Sequence, residues 1–390
     1  MRILFISPHI PPRECGVADH IAKQVSELIK GKNQVSILTG IENAGKSGFN
    51  DEFIVLALVK KWNIRAYFQL IMAIRTFNPD IVHMHYQISM YAGKSFATII
   101  PFLIKMIRKG IKTAVTLHDL NPPYFFHKYE IIIKKMLYFL VKYSDAVIVS
   151  NNMDYKKLSL ELPQRVLDRI HLIPIGSNMT INKIQHADKT MIGHKVEDLI
   201  LGFFGFVAPD KGVEILLEAF GRMRVEYNNL KLLIIGGKGY SKGDFNVYLK
   251  RLDLIISAHD MEKDVIFTNY ADIEMLRLYL SIIDICVLPY TEGVTTRRTT
   301  FFTVMSMGLP TVTTCVNEEY LPEGLEEGKN VRFFKPNDVN GLGCVLKELL
   351  GSKREREEMG ANAYAWSLKY SNEILYAKLD AIYKKLAYSP

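Results

Sequence analysis

The densest cluster of reactive side chains lies in "LPYTEGVTTRRTTFFTVMSMGLPTVTT", from Leu288 to Thr314. Glu292, the adjacent Arg297 and Arg298, and a run of threonines stand between an apolar strand pattern and the helix-like "FFTVMSMG". Loop amides, hydroxyls and guanidinium groups just before a helix make an anion site with its own counter-charge. Lys211 in "GFVAPDKGVEILLEAF" is a second candidate. A cation at a helix start opposes the positive end of the helix dipole, and a bound anion would resolve the conflict. The alternative is an exposed lysine with no ligand. Lys238 and the glycines of "IIGGKGY" lie at another strand end.

The first half carries softer chemistry. Gly16 in "SPHIPPRECGVADH" precedes a helix, so its loop either aims amides at an anion or sugar or is a plain turn. His83 and His85 in "HMHYQ" are two residues apart and face one side of a strand. With His118 they have the residue type of metal ligands. No carboxylate joins them at a standard spacing, so they read as packing or hydrogen-bonding histidines. His118 and Asp119 in "TLHDLNPP" stand at a strand end, either to bind a polar substrate or as a structural pair.

These residues hang on a repeated rhythm. Short β-branched runs ("RILFIS", "QVSILT", "FIVLAL", "DIVHMHY", "KTAVTLH", "DAVIVS") alternate with helical patterns. The rhythm loosens near 176–198 and restarts with "LILGFFGF", "LKLLIIGG", "KDVIFTN" and "DICVLPY". Strands separated by helices predict α/β folding in two doubly wound, Rossmann-like parallel sheets. Such sheets bind ligands at the carboxyl ends of their strands, and two facing each other form a cleft. A length of 390 residues suits two domains. The expected boundaries are 1–178 and 196–369, with a last helix, 370–390, crossing back onto the first domain.

Composition excludes several classes. Hydrophobic residues make up 48% and charged residues 23%, so the chain is globular. No GxGxxG appears, which argues against a nicotinamide or flavin domain. "MRILFIS" is too short for a signal-peptide core, and no apolar run spans a bilayer. The cysteines (Cys15, Cys286, Cys315, Cys344) lack metal spacing; Cys286 and Cys344 lie in apolar segments and are expected buried and reduced, as in a cytoplasm. The net charge of +8 concentrates between Lys105 and Lys142, which hold eight Lys/Arg and two acids. Those bases interleave with large apolar residues in "PFLIKMIRKG" and "KYEIIIKKMLYFLVKY". They are either core helices with basic faces or a peripheral surface for anionic lipid. Nucleic acid is not expected as a partner, since no zinc finger or RNP-type motif is present.

Taken in order, "PPRECGVADH", "TLHD", "LIPIGSN", "GFVAPDKGVEILLEAF" and "PYTEGVTTRRTTFFTVMSMG" resemble the motifs of retaining GT-B glycosyltransferases of the sucrose-phosphate synthase and bacterial mannosyl- and glucosyltransferase type. The resemblance implies an acceptor-binding first domain and a donor-binding second domain for a nucleotide sugar. It implies that Glu292 faces the sugar, that His118 and Lys211 act at the reacting centre, and that Asp119 and His85 serve the acceptor side. Gly16, Lys211, Arg297, Arg298 and backbone around Val294, Thr295 and Thr296 would hold the diphosphate. No Asp-x-Asp motif is present, so no divalent metal or other cofactor is expected.

Two departures stand out. The family's phosphate-loop arginine falls at Phe206, so Arg297 or Arg298 is expected to supply the missing charge. The second glutamate of the paired motif falls at Thr300 or Thr303, depending on the direction of counting. The acceptor is expected to be a glycan or lipid-linked sugar of envelope polysaccharide synthesis. The alternatives are a GT-B sugar-nucleotide epimerase or phosphorylase, or a binding module without turnover.

Overall fold

A computed structural model of the chain describes residues 1–13, 15–45, 53–91, 96–120, 130–177, 179, 187–237 and 245–388. The chain divides into two compact units, Met1–Asn178 with Asn372–Pro390, and Met179–Ser371. Lys128 and Lys238 lie outside the described residues.

The first unit runs β1 (Arg2–Ile6), α1 (Gly16–Lys30), β2 (Gln34–Gly40), β3 (Ile54–Val59), α2 (Ala66–Phe77), β4 (Ile81–Tyr86), α3 (Phe96–Ile107), β5 (Lys112–Leu117), α4 (Glu130–Tyr143), β6 (Ala146–Val149), α5 (Asn152–Glu161), α6 (Gln164–Leu167) and β7 (Ile170–Leu172). Its seven-stranded sheet has the order β3-β2-β1-β4-β5-β6-β7, with every pairing parallel. Strand alternation splits β1 between the two faces. Leu4 and Ile6 join the core formed with α2, α3 and α4. Phe5 points the other way and meets the rings of His83 and His85. Helix α1 buries Ala18, Ile21, Val25 and Leu28, one stripe at helical spacing.

The second unit runs β8 (Leu199–Phe204), α7 (Val213–Met223), β9 (Leu230–Ile235), α8 (Phe245–Ala258), β10 (Val265–Asn269), α9 (Ile273–Ser281), β11 (Ile285–Leu288), α10 (Thr299–Ser306), β12 (Thr311–Thr314), β13 (Arg332–Phe334), α11 (Val339–Gly351) and α12 (Lys353–Ser367). Its six strands are ordered β10-β9-β8-β11-β12-β13. The chain then returns to the first unit as α13 (Asn372–Tyr388), which packs on α1.

Each sheet has a topological switch point, where successive crossovers leave in opposite directions. It lies between β1 and β4 in the first unit and between β8 and β11 in the second. Loops diverge there and leave room for a ligand at the strand ends.

One expectation needs correction. Cys344 is exposed, because α11 turns Leu342, Val345, Leu346 and Leu349 inward and leaves position 344 outside. In the basic strips Ile100, Ile104, Leu140 and Val141 are buried, and Phe102, Phe139 and Tyr143 pack ring on ring. Their outer faces still expose Met106, Ile131 and Ile132.

Candidate functional site

The second unit gathers its charges at the β8/β11 switch point. After β8 the chain turns through Pro209–Lys211 and enters α7 at Gly212. Gly212 has φ +66°, and a Cβ there would come 2.1 Å from the Pro289 carbonyl oxygen. Only glycine lets the Lys211 loop lie this close to the end of β11. Thr291 fixes the same approach, donating its amide to the Asp210 carbonyl at 3.2 Å.

Asp210 is the hinge of the charge cluster. Its Oδ2 lies 2.8 Å from Lys211 Nζ and 3.1 Å from Arg298 Nη1. Arg298 Nη2 also reaches Glu292 Oε2 at 3.4 Å. Both cations sit over the Tyr290 ring, Arg298 at 4.6 Å and Lys211 at 5.6 Å from its centroid, an arrangement that stabilises positive charge. Tyr290 is fully buried, and its hydroxyl pairs with Thr300 Oγ1 at 2.7 Å. Burial and the neighbouring Arg298 push the Lys211 pKa down. Burial alone would raise the Asp210 carboxyl, but Lys211 and Arg298 outweigh it and hold the group below its ordinary value. Burial pushes the Tyr290 phenol up. Glu292 is the open member of the cluster, with a side chain 64% exposed.

Several expected roles change. The charge of Lys211 is not left facing the helix dipole alone, because Asp210 beside it supplies the counter-charge. The Val294 amide is committed to the Thr314 carbonyl at 2.9 Å, so it is not among the amides open to an anion. Thr303 is buried, and its hydroxyl bonds the Thr299 carbonyl one turn back in α10. It therefore does not occupy the place of a ligand-facing glutamate. Thr295 and Thr296 are also buried; the Thr295 carbonyl accepts the Arg298 amide at 3.1 Å and so shapes the loop. Of the two arginines, Arg298 reaches the Lys211 loop, while Arg297 is half-buried beside it. Phe206, at the position of the missing arginine, is 40% exposed.

Asp210 and Tyr290 are the residues that sequence reasoning missed. The signal for Asp210 was its place next to Lys211, and for Tyr290 its place at the end of an apolar strand. Farther along the same sheet edge, a cavity of about 150 Å³ opens past β8, β9 and β10. Val207, Gly236, Leu252, Asp253, Phe267 and Asn269 line it.

The first unit has a different centre. His20 from α1, His83 and His85 from β4, and His118 after β5 are all buried and in ring contact. His83 bonds Thr116 Oγ1 at 2.8 Å through Nε2 and the Tyr383 hydroxyl of α13 through Nδ1. His85 is completely buried and bonded to His118, so the expected direct contact of His85 with an acceptor is not supported. Burial lowers every one of these imidazoles, His20 to about 4 and His83 to about 3, with His85 and His118 well below the ordinary range. All are neutral near pH 7. Among the described residues, no group of three or more His, Cys, Asp or Glu is arranged to hold a metal ion. Asp119 follows half-buried at the strand end. Gly16 opens α1 with nothing within 4 Å of a would-be Cβ, so a side chain would fit there. It belongs to the first unit, whereas Lys211 and Arg298 belong to the second.

Comparison with known proteins accords with this architecture. Residues 15–179 match the family model described as Glycosyltransferase Family 4, and residues 198–352 match Glycosyl transferases group 1. The chain is 25% identical over 222 residues to the MMP alpha-(1->4)-mannosyltransferase of Mycolicibacterium hassiacum, covering 56% of this chain and 49% of that protein. The alignment thus spans about half the length of that curated relative. Sucrose-phosphate synthase from Thermosynechococcus elongatus superposes with a TM-score of 0.76 at 16% identity, covering 99% of this chain and 98% of that one. Anabaena HepE in complex with UDP and glucose superposes with a TM-score of 0.75 at 13% identity, covering 99% of this chain and 100% of that one. The chain therefore has the GT-B fold, and its two halves carry glycosyltransferase domains, Family 4 in the first and group 1 in the second.

Proposed function

We propose that the protein is a retaining glycosyltransferase that moves a sugar from a nucleoside-diphosphate sugar to an acceptor. The observation that carries this reading is the Lys211–Asp210–Arg298 cluster over Tyr290 at the β8/β11 switch point. In the transfer, the bond from the anomeric carbon to the β-phosphate oxygen breaks and a bond to an acceptor hydroxyl oxygen forms. The acceptor's proton goes to the departing diphosphate. Negative charge grows on that leaving group, and fixed cations stabilise it without reorganising. The diphosphate takes Lys211 and Arg298 from Asp210, exchanging one anion for another. Arg298 thereby supplies the charge that Phe206 cannot.

Glu292, open beside Arg298, faces the sugar. The cavity past β8 to β10, with its Val207, Leu252 and Phe267 walls, takes the nucleobase. A relative named as a mannosyltransferase and a structural neighbour crystallised with UDP and glucose support a nucleotide sugar as donor. The first unit takes the acceptor, with His118 as a sugar-contacting group and Asp119 beside it. We favour a glycan or lipid-linked sugar of envelope polysaccharide synthesis, presented at the inner face of the membrane. No helix among the described residues is long and apolar enough to cross a bilayer. The exposed Met106, Ile131 and Ile132, with the basic residues around them, would make that association peripheral. The chemistry calls for no metal, since Lys211, Arg298 and the start of α10 meet the charge.

A thermal-shift screen against UDP-, GDP-, ADP- and dTDP-sugars tests the reading. Stabilisation by at least one sugar nucleotide, lost in Arg298→Ala, is expected. No shift with any of them would remove the donor assignment.

A further inference from the structure

His85 and His118 share one hydrogen bond, with Nδ1 of His85 2.9 Å from Nε2 of His118. Strand register sets the pair up: His85 lies opposite Thr116 in the β4/β5 ladder, and His118 follows two residues on, toward the same face. The far nitrogen of His85, Nε2, is buried and has no hydrogen-bond partner. We propose that His85 is a positioning residue that holds His118 in the tautomer with its proton on Nδ1. The proposal rests on the reading of His118 as a sugar-contacting group.

A neutral imidazole carries one N–H, so only two arrangements fit the contact. If His118 donated from Nε2, the proton of His85 would have to sit on its own Nε2. That would leave a buried N–H with no acceptor, and orphaned buried N–H groups are rare in folded proteins. If His85 donates from Nδ1, the atom left bare is a lone pair among ring faces. Phe5 lies 5.4 Å and His83 4.7 Å away, centroid to centroid. The second arrangement leaves His85 with no unmet N–H. It also occupies the Nε2 lone pair of His118 and places the His118 proton on Nδ1.

Two consequences follow for the site. His118 offers a ligand an N–H donor and no free base, so it binds a sugar hydroxyl oxygen and does not abstract a proton. It also stays neutral. The titratable groups facing it are His85 and His83 from β4, His20 from α1 and His9 from the loop after β1, with Tyr376 and Tyr383 of α13 packed on His20 and His83. Burial, together with these imidazoles, disfavours the cation.

The test is nitrogen NMR on the full chain with labelled histidine, with His118→Asn used for assignment. Wild type should show His118 protonated on Nδ1 and bare on Nε2 at neutral pH. His85→Asn, whose amide nitrogen replaces the Nδ1 donor, should keep that pattern. His85→Leu should give mixed tautomers and raise the His118 titration midpoint by about one pH unit or more. A wild-type His118 protonated on Nε2, or a His85→Leu spectrum unchanged at His118, overturns the proposal. Should His85→Leu fail to fold, the wild-type spectrum and His85→Asn still decide it.

Sugar transfer from the sugar nucleotide selected by thermal shift to a panel of oligosaccharide acceptors separates the two layers. His85→Leu should lower kcat about tenfold or more with KM for the donor little changed, and His85→Asn should restore it. If His118→Asn keeps full turnover, the sugar-contact reading fails while the tautomer result stands. If His118→Asn loses turnover and His85→Leu does not, the positioning role is overturned.

Discussion

The two switch points hold opposite kinds of chemistry. In the first unit, four buried imidazoles are kept neutral by desolvation, and His83, His85 and His118 make directional hydrogen bonds. In the second, Lys211 and Arg298 are ion-paired with the Asp210 carboxylate, and Arg298 also with Glu292. Uncharged sugars need placed donors and acceptors, whereas a leaving diphosphate needs charge. The same fold supplies both by varying how deeply the strand-end side chains sink.

Acid should separate the two regions most widely. His20 and His83 have folded-state pKa values of about 4 and 3, below the 6.5 of an unfolded histidine. The unfolded chain then binds more protons below pH 6.5, so stability is full above that pH and falls as pH drops toward 4. His20→Phe removes a ring whose Nδ1 has no hydrogen-bond partner. It should recover up to roughly 3 kcal/mol at pH 4, at about 1.4 kcal/mol per pKa unit. Urea unfolding of wild type and His20→Phe across that range checks this, and parallel pH slopes would contradict it.

The charged region should break unevenly. Arg298→Ala should weaken nucleoside-diphosphate affinity by about 1.5–3 kcal/mol, the worth of a hydrogen bond to a charged group. Arg297→Ala should cost less, since Arg298 is ion-paired with Asp210 in the Lys211 loop. Equal losses in both variants would show that the cluster is not the anion site.

Glu292→Gln sharpens the division inside the second unit. Turnover of the sugar nucleotide should fall about tenfold or more if the carboxylate acts on the sugar at the transition state, while diphosphate affinity stays within a factor of about two. Lost nucleotide affinity with intact turnover would reverse the assignment.

The smallest expected effect concerns the outer face of α3 and α4. Each basic residue near an anionic surface contributes about 1 kcal/mol, screened over a Debye length of about 10 Å at 0.1 M salt. Cosedimentation should therefore favour anionic over zwitterionic vesicles and weaken with salt. Equal recovery with both would leave α3 and α4 as core helices with solvated faces.

Much of the fold was legible because parallel strands buried on both faces announce themselves as β-branched runs. Between Cys315 and Ser371 the periodicity reading assigned nothing, although β13, α11 and α12 lie there. β13 is three residues at a sheet edge, too short for alternation to show. Helix α12 is highly charged, and its one signal was Ser352, whose hydroxyl caps the Glu355 amide. At the site, Lys211 and Arg298 could be found from residue type and position. The counter-ion role of Asp210 could not, because it depends on a loop after β8 meeting a loop after β11. The inward turn of Thr303 and the committed amide of Val294 were equally hidden, since spacing counts residues and does not say which way they point. His83 meets Tyr383 across 300 residues, a contact no local pattern encodes.

Calorimetric titration of UDP, GDP, ADP and dTDP into wild type and Lys211→Ala tests the central claim most directly. At least one nucleoside diphosphate should bind wild type, and Lys211→Ala should lose about 1.5–3 kcal/mol of that affinity. Unchanged affinity in Lys211→Ala would contradict the assignment of the Lys211–Arg298 cluster as the diphosphate site.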